Sequence, residues 1–259
     1  MMPRRRGLVA ALLLAGALGV AGCGADPAEP DLPGTPTAAE QPSAEPEPSE
    51  EPTPAPSGAP PTSVPDADLP GDAWDSGPTA GDELSVVGVA ADDVLNVRTG
   101  PGVGFPVVEE LEPLGSAEAT GRGRLVDGGV WVEVTGAEAT GWAYVRYLAY
   151  LGDVTDVTSE LRGLGALPSG TDLADLARAV ADLRSAGASG EVRPQVVVVD
   201  GPHLGDLGEV TVDVTGMADD SVLGVRLHVF AQPEGSTFFV RTVEQTVLCA
   251  RGVDAGLCV

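Results

Sequence analysis

The chain has 259 residues, with 39 acidic against 14 basic side chains and a net charge of -25. Nucleic-acid binding starts from a basic patch that neutralises phosphates, and no Arg cluster exists beyond Arg4, Arg5 and Arg6, so nucleic acid is excluded as a partner. The length allows one large or two small domains, but the first third is too rich in Pro and acidic residues to join a core.

Residues 1–6 are basic and residues 7–21 form an uncharged apolar run, the length of a signal-peptide core and short for a membrane span. The run ends in Val20-Ala21-Gly22-Cys23, which resembles the bacterial lipobox. The resemblance implies a signal peptide over 1–22, a lipid on the Cys23 thiol, and a mature protein anchored to the membrane on its extracytoplasmic face. Small residues give a peptidase access to the backbone, and several acyl chains on one residue meet the need for more than one chain in stable anchoring. An uncleaved anchor or an ordinary secretory signal is the competing reading. Arg5-Arg6 also suggests twin-arginine export, although Gly7-Leu8-Val9 continues that motif poorly. The absence of Lys and the abundance of Ala, Gly and Val point to a GC-rich, actinobacterial genome.

Residues 23–81 read as a linker of Pro, Ala, Glu, Ser and Thr. Pro denies hydrogen bonds, like charges repel, and little apolar surface offsets the ordering entropy, so disorder is expected. As a coil it spans roughly 40 Å, and in polyproline form well over ~100 Å. It serves as a spacer from the membrane, with an unconstrained tail as the alternative. Trp74, the one aromatic residue here, is expected to pack on the next domain or stay exposed.

From residue 82 to 152 the pattern changes to short alternating runs punctuated by Gly, with strands expected over 84–89, 94–98, 107–111, 117–121, 130–134 and 141–145. Thr99-Gly100-Pro101-Gly102 reads as a tight loop and Asp127-Gly128-Gly129 as a hairpin turn. The strings Leu95-Asn96-Val97-Arg98-Thr99-Gly100-Pro101-Gly102, Phe105-Pro106-Val107, Trp131-Val132-Glu133-Val134, Gly141-Trp142 and Tyr147-Leu148 resemble the bacterial SH3-like (SH3b) family. The resemblance implies a small, curved, mainly β barrel that binds peptidoglycan peptides or envelope proteins and does no chemistry. Ala117, Ala119 and Ala143 stand where the family often has bulkier residues, and the acidic surface suits anionic wall polymers poorly. Asn96 and Arg98 are expected to tie side chains to nearby backbone. Trp131, Trp142 and Tyr147 suit a barrel core, yet Tyr144, Tyr150 and Trp142 are also the candidate ligand-binding aromatics, since clustered rings stack on sugars or grip peptides.

Residues 153–259 read as an α+β domain, one main helix on an antiparallel sheet. Leu173, Leu176, Ala177, Val180 and Leu183 make the stripe of a helix over 172–185, with Thr171 as N-cap and Gly187 past its end. Strands follow over 196–199, 210–214, 225–231 and 238–247. Cys249 and Cys258, in an exported domain, are expected to form a disulfide; they lack the second ligand pair and close spacing of a metal site. The fold loosely resembles cystatin-like and nuclear-transport-factor-like layers, and the tail from Leu248 to Cys258 resembles a C-terminal module of actinobacterial envelope proteins, which implies no activity.

Neither His203 nor His228 has a nucleophile beside it, no Gly-x-Ser-x-Gly elbow occurs, and paired carboxylates carry no information in so acidic a chain. No cofactor or metal is expected. The sequence therefore reads as a non-catalytic envelope-binding lipoprotein. A small-ligand or protein sensor using the C-terminal domain is the alternative, and a cell-wall hydrolase is the third reading.

Overall fold

The computed structural model describes residues 64–186, 194–216 and 220–259, all of which belong to one compact unit. The leader, Cys23, the linker up to residue 63 and the expected helix-ending Gly187 lie outside the described residues. The described part is mainly β.

The first half contains β1 (Asp72–Ala73), β2 (Glu83–Val86), β3 (Leu95–Arg98), β4 (Val107–Leu111), β5 (Ser116–Val126), β6 (Gly129–Thr135) and β7 (Thr140–Tyr144). Then come β8 (Leu148–Asp156), α1 (Thr158–Leu164), β9 (Ser169–Gly170) and α2 (Leu173–Ser185). The second half closes with β10 (Gln195–Leu204), β11 (Gly208–Thr215), β12 (Val222–Glu234), β13 (Thr237–Cys249), β14 (Val253–Asp254) and β15 (Leu257–Cys258). Thirteen strands join in one antiparallel sheet of path β10-β11-β12-β13-β8-β2-β5-β6-β7-β3-β4, with β1 on β5 and β9 on β13.

β8 links the halves. Leu148 and Ala149 pair with Val86 and Ser85 of β2, while Tyr150 to Asp156 pair along β13 from Cys249 to Glu244. The boundary expected between residues 152 and 153 thus falls inside one strand.

Alternation sorts the side chains of each half. In the first, Leu84, Val86, Leu95, Val97, Val132, Val134, Ala143 and Leu148 fill the interior, and Ala117 and Ala119 are buried with them. In the second, Leu173, Leu176, Ala177 and Val180 of α2 pack on Val210, Val212, Val214, Val225 and Leu227. The helix is capped by Asp172, whose side chain accepts the Asp175 N–H at 2.9 Å, one residue beyond the expected Thr171. A second helix, α1, precedes it; Leu161 is its buried anchor, and the Thr158 hydroxyl accepts the Val243 N–H at 2.9 Å. The hairpin at Asp127-Gly128 forms as expected, with φ of 50° and 79°, a pair of left-handed residues that matches strand twist. Residues 200–203, expected as a loop, belong to β10 and pair with β11 through two register irregularities.

Residues 64–81 correct the linker reading. They form a strap across β5 and β6: Leu69 is 7% exposed and packs with Trp131 and Trp142. The Trp74 N–H donates to the Gly123 carbonyl at 3.0 Å. Gly123 is required there, because a Cβ would lie 2.5 Å from the Trp74 carbonyl oxygen. Arg122 fixes the strap electrostatically, donating to Asp66 at 2.7 Å and to the Val64 carbonyl at 3.1 Å while also pairing with buried Glu133. Cys249 and Cys258 are bonded, with Cα atoms 5.1 Å apart, and hold the β14–β15 hairpin against Asp153.

The strap is expected to contribute to stability. Leu69→Ala should cost about 2–3 kcal/mol in urea unfolding and speed proteolytic cleavage before residue 82. Unchanged stability and cleavage would mean that the strap is not packed in solution.

Candidate functional site

The two halves are joined by polar groups that neither could satisfy alone. Asp213 of β11 is 0% exposed and sits opposite Arg226 of β12. Arg226 Nε donates to Asp213 Oδ1 at 2.7 Å and its Nη2 to Oδ2 at 2.9 Å. The same Nη2 donates to the Val86 carbonyl at 2.8 Å, and the Gly88 N–H donates to Asp213 Oδ2 at 2.8 Å. Beside this pair, Val87, Ala149 and Leu248 form a small core shared by both halves. Ala91 N–H donates to the Val198 carbonyl at 3.0 Å, which carries the junction to β10.

Next to this seam lies an open cleft of about 770 Å³. One wall is the 88–95 segment; another is β3 with the loop after it, contributing Asn96, Arg98 and Val103. The 126–129 hairpin, Trp131, Tyr144 and Tyr147 form the aromatic side, and Gln195 and Val197 of β10 form the side belonging to the second half.

The aromatic side follows from register. β6 and β7 pair Trp131 with Tyr144 and Glu133 with Trp142. Trp142 and Tyr144 share the outer face of β7 because they are two residues apart, whereas Ala143 points into the core. The strap residue Leu69 covers Trp142 but leaves Tyr144 half-buried at the cleft. The Trp131 and Tyr144 ring centroids are 5.4 Å apart, and Tyr144 meets Tyr147 edge-on at 6.1 Å.

The expected aromatic trio is therefore not one surface. Tyr144 is half-buried and lines the cleft. Trp142 is corrected: it is 1% exposed, with the Arg122 guanidinium 5.3 Å from its ring, and cannot touch a ligand. Tyr150 lines a separate depression, and its hydroxyl donates to Asp82 at 2.7 Å. Tyr147, read as core, reaches the cleft. Arg98 ties to backbone as expected, its Nη1 donating to the Phe105 carbonyl at 2.9 Å. Asn96 makes no such tie among the described residues and lines the cleft instead. Glu109, which the sequence did not single out, is buried and accepts the N–H groups of Ala137, Glu138 and Ala139, so it holds the β6–β7 turn.

The two His residues stand apart from the cleft. His203 is exposed, 3.0 Å from Asp200, and His228 meets Phe230 in a tilted contact with ring centroids 4.1 Å apart and lies 3.5 Å from Glu209. Among the described residues no group of three or more metal-ligating side chains is placed to hold an ion. Among the same residues no helix is long and apolar enough to cross a membrane. The space between α2 and its sheet is filled by their own side chains.

No family model, curated protein or solved structure matches this chain.

The Tyr150–Asp82 contact shifts both groups. The Tyr150 hydrogen bond, aided by the Thr79 N–H, holds the Asp82 carboxyl below its ordinary 3.8. Burial first, and then the Asp82 charge, push the Tyr150 phenol well above its ordinary 10.0. Asp82 thus adds stability above about pH 3.8 that is lost as pH falls through its folded value, and Tyr150 adds stability that fades as pH rises above 10. Tyr150→Phe should return the Asp82 carboxyl toward 3.8 in an NMR titration and cost about 1 kcal/mol at neutral pH. An unmoved Asp82 titration would show that the contact does not form.

Proposed function

We propose that the chain is a membrane-anchored extracytoplasmic lipoprotein that works by binding, with the seam cleft as its ligand site and cell-wall peptidoglycan or an envelope protein as its ligand. The leader and Cys23 give the compartment. β2 to β7, a run of short antiparallel strands around one interior, are read as an SH3-type barrel, in keeping with the motif from Leu95 to Gly102 and the Gly141-Trp142 pair.

The observation that carries this reading is the open cleft with Tyr144 and Tyr147 on its wall. Half-buried Tyr rings offer large apolar faces at low entropic cost, and the cleft volume lies in the range of ligand sites. His203 and His228 both lie outside this cleft, so a His-based hydrolase draws no support from it. The layer between α2 and its sheet, where the sensor alternative would place a pocket, is filled by described side chains. The Cys249–Cys258 disulfide agrees with an oxidising compartment.

Retention of the mature protein on purified sacculi, together with crosslinking in the native envelope, tests the proposal. Retention or the crosslinked partner should fall at least about tenfold in Tyr144→Ala, as expected for a central aromatic contact. Retention indifferent to Tyr144, or neither retention nor a crosslinked partner, would contradict it.

A further inference from the structure

β10 ends the sheet path, so one of its edges carries backbone groups that β11 does not take up. In an antiparallel ladder, successive residues turn their N–H and C=O groups to opposite sides. The Val198 carbonyl accepts the Ala91 N–H at 3.0 Å, so Val198 faces away from β11. Val196, two residues earlier in the regular part of the ladder, faces the same way. Ala91 fills the rung at Val198, and no described residue fills the rung at Val196. Its neighbours Gln195 and Val197 line the cleft, across from Tyr144 and Tyr147.

Charge narrows the occupant. Asp93 and Asp127 line the cleft and are exposed. Arg98 also lines the cleft and keeps its charge while held by the Phe105 carbonyl at 2.9 Å, so the two carboxylates outnumber it; Arg146 donates to Gln195 at 3.4 Å. The whole chain, at -25, also favours cations over anions at its surface.

We propose that the cleft takes an extended peptide carrying a free amine, whose backbone continues the β10 edge at Val196 and whose side chains lie against Tyr144 and Tyr147. This rests on the binding reading above and deepens it. The backbone rung supplies affinity without sequence preference, the aromatic wall orients the strand, and the carboxylates select the amine. The site is composite, since neither half provides both the rung and the aromatic wall.

The test uses the full mature chain and the synthetic stem pentapeptide Ala-γ-Glu-Lys-Ala-Ala, with D residues at its second, fourth and fifth positions, its N-terminal amine acetylated throughout and its Lys side-chain amine free or acetylated. Acetylation of the Lys side chain should weaken binding at least about fivefold, and the Asp93→Asn, Asp127→Asn double variant should erase the difference between the two forms. Val196→Pro, which removes an outward N–H and no ladder bond, should weaken binding roughly three- to tenfold. Should that variant fold poorly, hydrogen exchange in the unaltered protein decides: saturating peptide should slow the Val196 amide. Equal affinity for both peptides, no binding of either, or an unchanged Val196 amide overturns the inference. If Tyr144-dependent retention on sacculi or a crosslinked envelope protein persists in that case, the binding reading stands without it. If these are lost too, both fall.

Discussion

The Asp213 carboxylate is wholly withdrawn from water, and the geometry of the molecule follows from how it is satisfied. Its oxygens take two bonds from Arg226 and one from the Gly88 N–H, and Arg226 in turn reaches the Val86 carbonyl. A buried ion pair gains little over an apolar pair of the same shape, but a half-broken one leaves a charge with no solvent. The two halves therefore dock in the one arrangement that completes these bonds. Gly88 and Val86 belong to the first half and Asp213 and Arg226 to the second, so the pair sets the angle at which β10 faces the strands of the first half. The cleft walls come from both sides of that joint.

Two other features hold the cleft in shape. β8 runs unbroken from the β2 edge to the β13 edge, so the halves share backbone hydrogen bonds as well as a buried core at Val87, Ala149 and Leu248. The strap over Trp142 seals one end of the outer aromatic face and leaves Tyr144 open. Together they convert a chain with two sequence-distinct halves into a single described body, and a cleft wall drawn from both halves requires that rigidity.

Much of this was legible in the sequence where the signal is local. The strands over 107–111 and 130–134, the turn at Asp127-Gly128, the stripe of α2 and the pairing of Cys249 with Cys258 follow from periodicity, turn chemistry and thiol count. The strap was not, because Pro65, Asp66, Asp68 and Pro70 carry the composition of a linker, while its apolar contacts come from the scattered Val64, Leu69 and Trp74 and its ion pair from a distant Arg122. α1 is too short to show a period, and Gly152 looks like a break where β8 continues. Proximity in sequence groups Tyr144, Trp142 and Tyr150, whereas strand alternation and the strap send the three to different places. The joint had only a faint signal in Asp213 and Arg226, opposite charges among the alternating polar positions of two neighbouring strands. Burial of that face comes from tertiary contacts nearly 140 residues apart, which no local pattern reports.

All three Trp residues, Trp74, Trp131 and Trp142, lie in the first half, so their fluorescence follows that half alone. The amide signals of Leu227 and Val229 follow the second. Urea unfolding read by both probes is the most direct test of whether the Asp213–Arg226 joint makes one cooperative body. One cooperative body gives coincident transitions in the unaltered protein, and in Asp213→Ala a loss of about 3–5 kcal/mol with the two transitions drawn apart. Two separate transitions in the unaltered protein, or an Asp213→Ala variant as stable and as cooperative as the parent, would contradict it.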